Sequence, residues 1–141
     1  MKIVHTGLKG CFIIEPSIFE DERGYFFEAF NQKRFNTLTA ININFVQDNE
    51  SRSQYGTVRG LHYQTPPFAQ TKLVRVTKGK VLDVVVDIRP DQPTYGKQFS
   101  IVLSNKNKKQ FLIPEGFAHG FVALSKVAVF NYKCTNFYSK D

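Results

Sequence analysis

The sequence predicts an all-β fold, an antiparallel sandwich or barrel with at most short helices. Short runs that are wholly apolar, or alternate apolar with polar residues, recur along nearly the whole chain. Gly, Pro, Asn and Asp separate them, the residues that turns require. Only one segment has the look of a helix, and no repeat, low-complexity tract or linker interrupts the pattern. At 141 residues the expectation is one domain over 1–141, long enough to bury a core.

The first strand is expected at the apolar run CFII (11–14), the next at the aromatic-rich YFFEAF (25–30). NQKRFNTL (31–38) follows, with Asn31 placed as a helix cap. A short alternation marks 44–47, and TVRGLHYQ (57–64) reads as a strand ended by TPP at 65–67. Strands then follow at 72–77, 80–88, 98–103, 109–113, 120–124 and 128–134.

The stretch VRVTKGKVLDVVVDI (74–88) allows a geometric expectation. With Lys78 and Gly79 as a two-residue turn, Val74 would pair with Asp83 and Lys72 with Val85. One face would carry Lys72, Val74, Val76, Val81, Asp83, Val85 and Asp87; the other would carry Leu73, Arg75, Leu82, Val84, Val86 and Ile88. Lys72 and Asp83 would then be diagonal neighbours about 7–8 Å apart, either a structural pair or part of a site. His62 poses the same choice between an ordinary strand residue and a functional one. Gly60 reads as a bulge, which would let Arg59 and His62 share a face despite their opposite parity. IPEGFAHGF (113–121) reads as a tight bend that projects His119 from a strand end.

Composition narrows the function. Apolar residues make up 42% of the chain, with 14 Phe and no Trp, which argues against disorder. No run approaches the ~20 apolar residues of a bilayer span, so no membrane partner and a cytoplasmic location are expected. Cys11 and Cys134 lack a C-x-x-C spacing and read as buried, reduced thiols. With three histidines and no H-x-H pair, no metal site is expected. The net charge of +7 fits either a nucleic-acid surface or attraction of a small anion. No nucleic-acid motif accompanies it, and the densest basic run, NKNKKQ (105–110), reads as a solvated turn, so no nucleic-acid partner is expected.

Four separated stretches, FEDERGYFFEAFN (19–31), FVQDNESRSQYGTVRGLHYQTPPFAQTKLVRVTKGKVLDVVVDIR (45–89), IPEGFAHGF (113–121) and NYKCTNFYS (131–139), resemble the dTDP-4-dehydrorhamnose 3,5-epimerase family, in the family's order. The resemblance implies a cupin-like jelly roll that works without metal or cofactor. It implies epimerisation of dTDP-4-dehydro-6-deoxy-D-glucose at C3 and C5, in rhamnose-type biosynthesis, through an enolate formed beside the C4 ketone. Single-carbon epimerases, ketoisomerases and non-catalytic nucleotide-sugar binders are the alternatives. Carried over from the family's motifs, His62 would be the base, Lys72 the cation at the enolate oxygen and Tyr132 the acid on the other ring face. Arg59 and His119 match diphosphate contacts, Gln47 and Asn49 nucleotide-side positions, and Tyr138 a substrate-facing aromatic. Arg23 and Glu28 match a ligand-contacting N-terminal strand that crosses into a neighbouring subunit, so a homodimer is implied. Family members continue past SKD (139–141) into a Trp-bearing segment whose Asp partners the catalytic histidine, and Asp141 comes too early to match it. The expectation is a sequence lacking that tail; a substitute carboxylate, for which the hairpin offers Asp83, and a weakened or inactive version are the alternatives.

Overall fold

A computed structural model describes residues 1–140, and Asp141 lies outside the described residues. In chain order the strands are β1 (Lys2–His5), β2 (Phe12–Glu15), β3 (Ile18–Asp21) and β4 (Gly24–Phe27), then the helix α1 (Gln32–Thr39). There follow β5 (Gln47–Gln54), β6 (Val58–His62), β7 (Lys72–Lys78), β8 (Lys80–Asp87), β9 (Gln98–Ser104), β10 (Gln110–Ile113), β11 (Phe117–Ala123) and β12 (Val127–Cys134). Antiparallel pairing arranges them as a six-stranded sheet β1-β2-β10-β7-β12-β5, a four-stranded sheet β6-β11-β8-β9, and a separate hairpin β3-β4. No helix of the described residues is long and apolar enough to cross a membrane.

Alternation along the strands explains where the core sits. Val74, Val76, Phe111 and Phe130 from the large sheet meet Val81, Val85, Leu103 and Phe121 from the small one, all less than a tenth exposed. Leu73 and Leu112, one residue out of phase, face the opposite side of the large sheet. There they pack with Phe35 of α1, whose ring meets those of Phe30 and Phe45 at 5.7 and 5.9 Å. Asn31 caps the helix as expected, its side chain accepting from the Arg34 N–H at 3.0 Å. Cys11 and Cys134 are free and buried, and burial pushes the Cys11 thiol up to about 12.

Several expectations change. The 74–88 hairpin does not form: β7 pairs with β10 and β12, and β8 pairs with β11 and β9. Lys78 to Lys80 instead form a corner between the sheets, where Gly79 at φ +76 lies so close to Ser125 and Val127 that a Cβ would fall 2.2 Å from their atoms. The inward face nevertheless has the expected members, because alternation fixes which face a residue takes and says nothing about which strand lies beside it. The strand expected at 44–47 runs over Gln47–Gln54 instead; QDNESRSQ is polar because β5 edges the sheet. β1 and β3 were not foreseen, and the strand expected over 25–30 is limited to Gly24–Phe27.

Candidate active site

The cavity forms where polar side chains replace apolar ones on the inner faces of both sheets. β6 and β11 pair with His62 opposite His119 and Arg59 opposite Phe121, so Gly60 and Leu61 face the single residue Gly120. That is the bulge expected at Gly60, which has φ +112. A Cβ there would lie 2.6 Å from the His119 carbonyl oxygen, and one on Gly120 would lie 2.7 Å from that of Arg59. Two glycines therefore let the backbones approach closely enough to turn Arg59 and His62 toward one space.

That space is a cavity of about 320 Å³ lined by Arg59, His62 and His119 from the small sheet and by Asn49, Lys72 and Tyr132 from the large one. An adjoining hollow of about 240 Å³ shares Asn49, His62, Lys72 and Tyr132 and adds Gln47 and Tyr138. Eight of the ten residues singled out in the sequence thus converge. A larger groove of about 390 Å³ is lined by Leu73, Arg75 and Lys133 and holds neither histidine.

Arg23 and Glu28 do not join the cavity of their own chain. Arg23, its side chain 85% exposed, pairs with Asp21 at 2.6 Å at the tip of the β3-β4 hairpin. Glu28 pairs with Arg34 at 3.0 Å and accepts from the Asn31 side chain.

The turn expected before His119 forms at Glu115–Gly116, with Gly116 at φ +84, but it does not leave His119 at a strand end. His119 lies within β11, 4% exposed, with its Nε2 2.8 Å from Asp83 Oδ2. This pairing also corrects the expected Lys72–Asp83 diagonal and removes Asp83 as a substitute partner for His62. An ionised Asp83 accepts from Nε2–H and so fixes the ring's tautomer. Burial raises the Asp83 pKa, with His119 and then Lys72 pulling it back, and its Oδ1 has no hydrogen-bond partner among the described residues.

The remaining groups are less constrained. His62 is exposed and makes no hydrogen bond among the described residues; partial burial, then Lys72, then His119 hold its pKa below 6.5. Lys72 is 8% exposed, its side chain equally without a hydrogen bond or ion pair there, with its Nζ 5.7 Å from the centroid of the Tyr132 ring. Burial lowers its pKa, while Cys134 and Asp83 favour the charged form. Burial raises the Tyr132 phenol, Cys134 adds to this, and Asn49 and Arg59 oppose it. Arg59 Nε donates to the buried Ser53 hydroxyl at 2.9 Å.

Ser53 and Phe130 carry no signal in the sequence. Ser53 lies in the unforeseen polar strand, and Phe130, one of 14 phenylalanines, stacks on Phe121 at 4.2 Å and on His119 at 6.0 Å. Among the described residues no three His, Cys, Asp or Glu side chains cluster as metal ligands. The arrangement offers a free imidazole, a buried lysine amine and a phenol around one space, a set suited to moving a proton beside a carbonyl.

The model of the dTDP-4-dehydrorhamnose 3,5-epimerase family matches residues 5–141. A dTDP-4-dehydrorhamnose 3,5-epimerase of Shigella flexneri is 54% identical over 140 residues, covering 99% of this chain and 77% of the relative. The crystal structure of the enzyme of that name from Elizabethkingia anophelis superposes with a TM-score of 0.95 at 58% identity, over 99% of this chain and 76% of the other. A dTDP-6-deoxy-D-glucose-3,5-epimerase from Legionella pneumophila, solved with dTDP-4-keto-L-rhamnose, gives a TM-score of 0.94 at 53% identity, over 98% and 73%. The fold shared with these structures is the cupin-like all-β fold that the resemblance implied.

Proposed function

The chain belongs to the dTDP-4-dehydrorhamnose 3,5-epimerase family, and from that premise we propose that it epimerises dTDP-4-dehydro-6-deoxy-D-glucose at C3 and C5 to dTDP-4-dehydro-L-rhamnose. The observation that carries the reading is the meeting of His62, Lys72 and Tyr132 around one cavity, the first two without hydrogen-bond partners among the described residues.

The C4 ketone acidifies the protons on C3 and C5. His62 removes one as general base, and its lowered pKa keeps the imidazole neutral near pH 7, as a base requires. Negative charge develops on O4, where the Lys72 ammonium, shielded from water, stabilises it far better than a solvated cation would. Tyr132 returns a proton to the opposite face; its raised pKa keeps the phenol protonated. Its position on the other sheet from His62 supports that division of roles. The same steps at the second carbon complete the reaction.

Arg59, held by Ser53, and His119, held by Asp83, bind the diphosphate. Gln47, Asn49 and Tyr138 form the nucleotide-side and substrate-side walls. The protein works as a homodimer in which the β3-β4 hairpin of one copy carries Arg23 and Glu28 to the ligand of the other. Supporting this, Arg23 and Glu28 lie outside their own cavity, and Phe19 and Phe26 on the hairpin are 66% and 70% exposed.

Incubation with the 4-keto substrate in D₂O, read by NMR, tests the proposal. Label at both C3 and C5 is the expected result, and label at one carbon would reassign the chain as a single-site epimerase. Tight dTDP binding with no label would make it a nucleotide-sugar binder.

A further inference from the structure

The basic turn after β9 was expected to be solvated, yet two of its lysines are docked. Lys108 Nζ sits 3.8 Å from the centroid of the Tyr25 ring and 5.7 Å from that of Phe27. It also donates to the Asn105 carbonyl at 2.6 Å, from a residue whose own backbone is left-handed at φ +53. Lys109 Nζ lies 3.6 Å from Glu15 Oε1, just before the hairpin begins.

Within its own chain, among the described residues, the hairpin forms no ladder with either large sheet. Among the described residues β3 and β4 pair only with each other, and every residue of Ile18–Asp21 is exposed. Without a ladder to the large sheets, the direction in which the hairpin leaves the body rests on side-chain contacts. Tyr25 and Phe27, two apart on β4, share one hairpin face, with Phe26 on the other. The ammonium therefore grips the face that carries both Tyr25 and Phe27, close to the tip where Arg23 lies.

We infer that Lys108 is a positioning residue: its ammonium on the Tyr25 ring sets the course of the hairpin and so the approach of Arg23 to the substrate. This rests on the proposed function, in which Arg23 reaches the ligand of a second copy. An ammonium over an aromatic face is directional enough to orient a segment while leaving the fold of the body untouched.

Lys108→Met keeps the length of the side chain and the backbone demand while removing the charge. The expected result is hydrogen exchange about tenfold faster at amides of 18–27, with β7 and β8 unchanged. KM for the 4-keto substrate should rise about threefold to tenfold with kcat held, and Lys108→Arg should restore both. Unaltered hairpin exchange would overturn the inference, as would faster exchange across the whole chain. An unmoved KM, where Arg23→Ala raises KM, would also overturn it and leave the proposed function standing. If Arg23→Ala leaves KM unmoved, the placing of Arg23 at the ligand fails, and the role of Lys108 fails with it.

Discussion

His62 and His119 face one another across paired strands, their ring centroids 6.3 Å apart, in surroundings that have little in common. His119 lies on β11, which has a neighbour on each side; it is 4% exposed, bonded to Asp83 and stacked on Phe130. His62 lies on β6, at the open edge of the same sheet, exposed and with no hydrogen bond among the described residues. An interior strand fixes a ring by surrounding it, whereas an edge strand leaves a ring free to meet a ligand. The fixed histidine suits binding, and the free one suits proton transfer.

The strongest way to sharpen that contrast is His62→Ala. Deuterium exchange at C3 and C5 should fall by about 10³-fold while dTDP affinity, measured by calorimetry, stays within about twofold. If both fall together, His62 is structural and the contrast breaks.

Gly60→Ala attacks the bulge that puts His62 at the cavity. The added Cβ would meet the His119 carbonyl at 2.6 Å from a backbone at φ +112. We expect a loss of about 2 kcal/mol in urea unfolding and about 10²-fold in kcat, since displaced reacting groups cost more than their displacement suggests. Full activity in this variant would show that the bulge does not aim the base.

Asp83→Asn tests the fixed partner. An amide can accept from or donate to Nε2, so the tautomer of His119 is no longer selected. KM should rise about tenfold with kcat nearly constant. A fall in kcat with KM unchanged would move His119 from binding into the chemistry.

The smallest effect concerns stability and pH. Burial, then Lys72 and His119, lower the His62 pKa from 6.5, so between the folded value and 6.5 the unfolded chain binds protons that the folded chain does not. Stability therefore rises with pH through that window and levels above 6.5. His62→Gln should flatten this rise in urea midpoints taken from pH 5 to 7.5.

How legible all this was depended on the kind of information each element carries. The Asn31 cap and the Gly60 bulge could be read because each is a local rule written in a few residues. The inward face of β7 and β8 was readable from alternation, yet their partners were not, because the corner at Gly79 is set by a loop more than 40 residues away. β5 stayed hidden for a different reason. Its residues face a polar cavity and an open edge, so the apolar signal that marks a strand is missing along QDNESRSQ. For His119 the Pro114–Gly116 turn is local and legible, while Gly120 suggests a second break where Phe117 to Ala123 continue as strand. For Asp83, the hairpin that did not form pointed to the wrong partner.

Lys72 and Tyr132 project from one sheet, Arg59, His62 and His119 from the other, and Phe130 stacks on Phe121 between them. On the proposed function, the slot for a sugar ring would thus be gauged by the interior filling, which holds packed sheets about 10 Å apart. Both rings line the cavity, so trimming or enlarging one would widen or narrow it with every polar group left in place. Selection for a well-filled interior and selection for the shape of the substrate act on the same pair of side chains. On the proposed function, a change of sugar size could be met at Phe121 and Phe130 alone, with His62 and His119 left as they are.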